Sequence, residues 1–368
     1  MRLRRPPGGA VTRRLAGNRV TGGLLTGALL TGALVVGGAG ASYAVDGDDC
    51  AAVNQVQAAG ENDVTAFAEE GSPVDVLRIA RAQQRVRALA GRVAGDGVVV
   101  AVLDSGVRPQ EGLDVRPGTP AAGATATREL VWHQGTLLAG VVAADPDPAS
   151  GAPVGIAPGA TIYDQRVYDV GEESDGLTAP TSDSLAAGLE AIAPLVGPRG
   201  IQVVTVGVRV PDSARLRRAV ARVTARGALV VAASGERADV TEESSAAGYR
   251  PGEDYADAAF PAGYAAASRD RAADPLVVSV ATTAASGQPG VPDPELEGLI
   301  LLSSAIDVVV PSGGVVSLGI NDRFCAVREP SNAVAAAEVA GILALLLTAY
   351  PDDTPAQVLA RLETTASA

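Results

Sequence analysis

Four short segments of the chain hold residue types that can do acid–base and nucleophilic chemistry if a fold brings them together. Val102-Leu103-Asp104-Ser105-Gly106 delivers a carboxylate straight after an apolar run, and Trp132-His133-Gln134-Gly135-Thr136 contains the one histidine. Ala233-Ser234-Gly235-Glu236 follows a second apolar run, and Pro330-Ser331-Asn332-Ala333 opens a long apolar segment. An acid, an imidazole, a loop after a strand and a serine at a helix start are the parts of a Ser-His-Asp hydrolase. In that chemistry a hydroxyl attacks, an imidazole takes its proton and a carboxylate orients the imidazole. Here they run in the chain order acid, histidine, serine. Loops with Asp and Ser are common, so these segments carry weight only through the elements that position them.

Those elements alternate. Val98 to Leu103, Ile201 to Val210, Ala228 to Ala233, Leu276 to Val280 and Ala305 to Val310 are apolar runs, rich in β-branched residues and bounded by Gly, Pro, Asp or Ser. That is the pattern of strands buried on both faces. Between them Gly135 to Ala144, Asp183 to Leu195, Ser213 to Ala225 and Ala333 to Tyr350 have helical character. The alternation predicts an α/β fold, a doubly wound parallel sheet with helices on both faces. Such a sheet holds ligands at the carboxyl ends of its strands, where the four segments fall. Upstream, Asp46 to Ser72 reads as an irregular arm and Val74 to Val93 as a helix.

The 368 residues include 29 basic side chains, all Arg, against 42 acidic ones. Six of those Arg lie in the first nineteen positions, before an uncharged stretch from Val20 to Val45, which reads as an export signal or a retained membrane anchor. From Val45 onward 23 Arg face 42 acids, a balance that argues against nucleic acid as a partner of the folded part. Residues 1–44 are thus expected to be a leader, 45–95 an extension and 96–368 the main domain. Export permits disulfides, and Cys50 and Cys325 are the only two cysteines, so one bridge between them is the one intramolecular option. Two cysteines and one histidine exclude the usual Cys/His zinc frameworks, and no metal or cofactor is expected.

Resemblance sharpens this reading across Val98 to Ala366. The run Val98 to Val107 is similar to the subtilase strand that delivers the catalytic aspartate, and Gly135 to Ala144 followed by Val154 to Ala160 resembles the helix after the catalytic histidine and its loop. Pro275 to Val280, Ile306 to Pro311 and Ala349 to Val358 are further matches. The order Asp, His, Ser is that of the subtilisins. The last run, the leader and the short cysteine-bearing extension resemble mycosins, the membrane-linked subtilases of actinobacterial type VII secretion systems. Mycosins usually carry a membrane span near the C-terminus, and no such run follows Val358 up to Ala368.

The departures bear on function. Placing Gly135-Thr136 on the family's His-Gly-Thr puts Gln134 at the base position and His133 one residue early, turned away by about 100° on a helix. A glutamine amide takes up no proton near neutral pH. Counting back from Gly341 puts Ala333, which has no nucleophilic atom, at the serine position, with Ser331 as a helix N-cap. Glu236 replaces the asparagine of the oxyanion hole, and Glu338 stands where the family tends to have an aromatic or polar residue. Asp104 alone keeps its place. The resemblance therefore implies an exported, catalytically silent subtilase that holds a peptide or protein segment in its cleft, at the outer face of the membrane or secreted, and serves a type VII secretion complex. The alternative is an active endopeptidase using a displaced Asp104, His133 and Ser331.

Overall fold

The computed structural model describes residue 50 and residues 72–365, apart from 122–123, 125–128, 174–175, 235–259, 266–276, 284–305 and 328–329. The leader reading and Glu236 fall outside the described residues.

In chain order the elements are α1 (Pro73–Val76), α2 (Ile79–Ala90), β1 (Val99–Asp104), β2 (Val115–Pro117), α3 (Gln134–Ala143), β3 (Thr161–Arg166), α4 (Ser182–Ile192), β4 (Ile201–Val206) and α5 (Ala214–Thr224). They continue with β5 (Leu229–Ala233), β6 (Val277–Thr282), β7 (Val308–Val310), β8 (Val315–Leu318), β9 (Phe324–Val327), α6 (Asn332–Ala349) and α7 (Pro355–Thr365). Seven strands form one sheet in the order β2-β3-β1-β4-β5-β6-β7, every pair parallel, and β8 and β9 form an antiparallel hairpin. The α/β parallel sheet with helices is the expected fold class.

The two-residue period of a strand sends alternate side chains to opposite faces. Val100 and Val102 of β1 join Val231 and Val280 in a core under α3 and α6, whereas Ala101 and Leu103 join Val204 and Val230 in a second core under α4 and α5. Helix α6 is long and apolar enough to cross a membrane, yet 78% of it is buried within the fold. It is the central core helix.

Several boundaries differ from the expected ones for local reasons. The helix expected over Val74 to Val93 is two, because Arg78 has a left-handed backbone (φ 53°) between α1 and α2. Gly91 then ends α2, also left-handed, at φ 67°. Strand β4 stops at Val206 rather than Val210, with Val210 making an isolated bridge to Phe260. Strand β3 has no counterpart among the expected strands. Its sequence, TIYDQR, is polar because its side chains find local partners: Thr161 donates to Asp114 (2.6 Å), Gln165 to the Thr119 carbonyl (2.7 Å) and Arg166 to Asp169 (2.6 Å).

Cys50 and Cys325 are disulfide-bonded and buried, which joins the chain ahead of the sheet to β9. The hairpin packs in turn on α3. Ser317 donates to the Leu137 carbonyl (2.6 Å), and a Cβ at Gly140 would lie 2.4 Å from Ser317 Oγ, so the two elements approach as closely as glycine allows.

Candidate active site

Asp104 ends β1 and is fully buried. Its Oδ1 accepts from the Tyr168 hydroxyl (2.6 Å) and the Ser105 backbone N–H (2.8 Å), and its Oδ2 accepts from the Gln134 amide at 3.2 Å. Burial raises its pKa to about 6 against the opposing pull of these three donors, Tyr168 first. The Tyr168 hydroxyl is pushed well above its ordinary value, by burial first and by the neighbouring carboxylate second.

Helix α3 is seated against the end of β1. Ser105 Oγ accepts the Gly135 N–H (3.1 Å) and donates to the Trp132 carbonyl (3.3 Å), while Thr136 Oγ1 accepts the Arg108 N–H (3.0 Å). A Cβ at position 135 would meet the Gly106 carbonyl oxygen at 2.4 Å, so only glycine lets the helix start this close. Regular helix begins at Gln134, with no bulge to turn the preceding residue inward. The His133 ring packs against that of Trp132, with centroids 5.4 Å apart.

Helix α6 starts across from this point. Ser331 is its N-cap: its backbone is extended and its Oγ accepts the Ala333 N–H at 3.2 Å. Ser312 Oγ accepts the Ser331 N–H (2.9 Å) and lies 2.6 Å from Thr282 Oγ1, and the Thr282 N–H donates to Asn332 Oδ1 (2.7 Å). The ends of β6 and the loop after β7 thereby fix the start of α6.

Gly207, just past β4, is where these parts meet. A Cβ there would lie 2.5 Å from Leu138 Cδ1, 2.9 Å from Asp104 Oδ2 and 3.3 Å from Ala333 Cβ, and its carbonyl is 3.5 Å from Gln134 Nε2. So Asp104, Gln134 and Ala333 converge on one backbone position, while the His133 ring packs tilted against Trp132 and Ser331 caps its helix. The N–H of residue 333, at a helix start beside the site, is the kind of backbone donor that acyl-transfer sites aim at an oxyanion. Here Ser331 Oγ takes it.

A model of the subtilase family matches residues 95–368. The chain belongs to the subtilase family. Among curated proteins this subtilase is 38% identical to subtilisin BL of Lederbergia lenta, over 39% of its own length and 49% of that protein's. It is 29% identical to mycosin-1 of Mycobacterium tuberculosis, over 74% of its length and 64% of that protein's. The chain thus spans about half of the subtilisin and just under two thirds of the mycosin. Among solved structures it resembles MycP1 from the ESX-1 type VII secretion system (25% identity, TM-score 0.59, 83% of each chain). It also resembles the MycP3 protease from the ESX-3 system (22%, TM-score 0.60, 83% and 85%), a likeness of fold. The subtilase is mycosin-like in both comparisons.

Tyr168 and Gly207 were not among the residues singled out from the sequence. Tyr168 follows β3, whose polar sequence gave no strand signal. Gly207 did leave one, since a glycine inside an apolar run marks close backbone approach.

Proposed function

We propose that this subtilase is an exported pseudoprotease that binds a peptide or protein segment in its cleft and forms no acyl-enzyme. The observation that carries the proposal is the convergence on Gly207, where an amide (Gln134) and a methyl group (Ala333) stand beside the buried Asp104. An amide cannot accept the proton of an attacking hydroxyl, and a methyl group cannot attack. Asp104 in this arrangement accepts hydrogen bonds and holds the α3 start in place.

Binding does not require the lost chemistry. Extended peptides add to a strand edge through main-chain hydrogen bonds, with pockets for alternate side chains. The likeness to mycosin-1 and to MycP1 and MycP3, proteins of type VII secretion, supports a role with such a membrane complex at the extracytoplasmic face. The leader reading of residues 1–44 and the disulfide fit export.

The test is labelling of purified protein with a serine-directed phosphonate, read by intact mass, alongside hydrolysis of a peptide library. No adduct and no hydrolysis are expected. An adduct that forms on the wild type and is abolished by Ser331→Ala would establish the displaced Asp104, His133 and Ser331 site instead.

A further inference from the structure

The α1–α2 surface combines two features. The first is charge. Helix α2 contains Arg81, Arg85 and Arg87 and no acidic residue, Arg78 precedes it and Arg92 follows it, while α1 contributes one exposed acid, Asp75. At 100° per residue Arg81, Arg85 and Leu89 fall within an arc of about 80° on the exposed side. Arg92 pairs with Asp96 (2.9 Å), but among the described residues Arg78, Arg81, Arg85 and Arg87 make no ion pair. This concentration runs against the acidic balance of the chain from Val45 onward.

The second feature is apolar exposure. Five large apolar side chains are exposed among the described residues, and three of them lie here: Val76 (45%), Leu89 (52%) and Val93 (41%). Helix α5 is the internal comparison, because it too is rich in arginine, with four, and has no acid. There Arg215 pairs with Glu190 (2.8 Å), Arg217 pairs with Asp212, and no large apolar side chain of α5 itself is exposed. The opposite side of α2 is anchored: Ile79 and Val86 are buried with Ile156 and Leu345, and Gln83 donates to the carbonyls of Gly155 (2.9 Å) and Ile156 (3.1 Å). Whatever α2 rests on therefore orients the whole sheet.

We propose that the α1–α2 surface docks on an anionic phospholipid bilayer. Guanidinium groups pair with headgroup phosphates while the aliphatic side chains between them enter the acyl boundary, the division of labour of a basic amphipathic helix in a membrane interface. A nucleic-acid backbone would meet the arginines but leave Val76, Leu89 and Val93 against water. In the sequence, the uncharged stretch from Val20 to Val45 is long enough to span a bilayer and ends five positions before Cys50. The proposal is independent of the reading of the cleft.

The test uses the full chain in lipid nanodiscs with brominated acyl chains. The lipid is phosphatidylcholine alone or phosphatidylcholine with phosphatidylglycerol. In a Trp132→Phe background, which removes the single tryptophan, Leu89→Trp reports insertion through quenching, and Val93→Trp is the second reporter should the first perturb folding. Quenching is expected only in the phosphatidylglycerol discs, with each arginine contributing about fivefold to partitioning. Arg81→Glu with Arg85→Glu is expected to bring it down to the phosphatidylcholine value, and Arg218→Glu with Arg222→Glu on α5 to leave it intact. The proposal is overturned by absence of quenching in both discs, as when the surface serves an acidic protein instead. Equal quenching in both, or quenching that survives the α2 charge reversal, overturns it as well.

Discussion

At the residue scale the proposed pseudoprotease site differs from a working hydrolase in more than the amide of Gln134 and the methyl group of Ala333. Gln134 and Ala333 were legible from the spacing of Gly135-Thr136 and Gly341. The engagement of the residue-333 amide by Ser331 Oγ was not, because a serine before a helix announces a cap but not which N–H it takes. Restoring chemistry is therefore expected to need several steps. Gln134→His with Ala333→Ser should leave peptide hydrolysis poor, and adding Glu236→Asn should raise kcat by about 10²–10³-fold, a magnitude known from loss of a single oxyanion donor in subtilisin. Kinetics on a chromogenic peptide would check this. High activity of the double variant would show that Glu236 does not obstruct the hole.

At the scale of elements, α6 contains an unusual residue for a core helix. Glu338 is buried and its Oε2 has no hydrogen-bond partner among the described residues, and burial lifts its carboxyl well above the usual range. A group with a raised folded-state pKa holds its proton in the fold and loses it on unfolding. Its cost is absent below the unfolded value of about 4.5 and grows as the pH rises above it. Glu338→Leu is thus expected to raise Tm at pH 7, with the gain shrinking as the pH approaches 4.5, as thermal melts across that range would show. Destabilisation at pH 7 would reveal a structural task for the carboxyl. The position of Glu338 in an apolar helix was visible in the sequence; its isolation was not, since a partner could have come from any neighbouring element.

At the scale of the whole molecule, the Cys50–Cys325 bridge links positions 275 residues apart and ties the start of the described chain to the hairpin that braces α3. Replacing both cysteines by alanine should cost about 2–5 kcal/mol, read by urea unfolding under non-reducing conditions. A loss below that range would mean that packing alone holds the extension. The sequence by itself determined the parallel α/β plan, because buried strands need apolar runs and those runs alternate with helical segments. It also determined which side chains are available for chemistry, since an amide and a methyl group are what they are in any fold. It did not determine the polar β3, where Thr161 and Gln165 find their partners at Asp114 and Thr119, 47 and 46 residues away in the chain. Only the tertiary structure decided that Asp104, Gln134 and Ala333 share the space around Gly207 while the His133 ring packs against Trp132. Convergence of that kind depends on the register of four separate strand ends, and no local pattern encodes it.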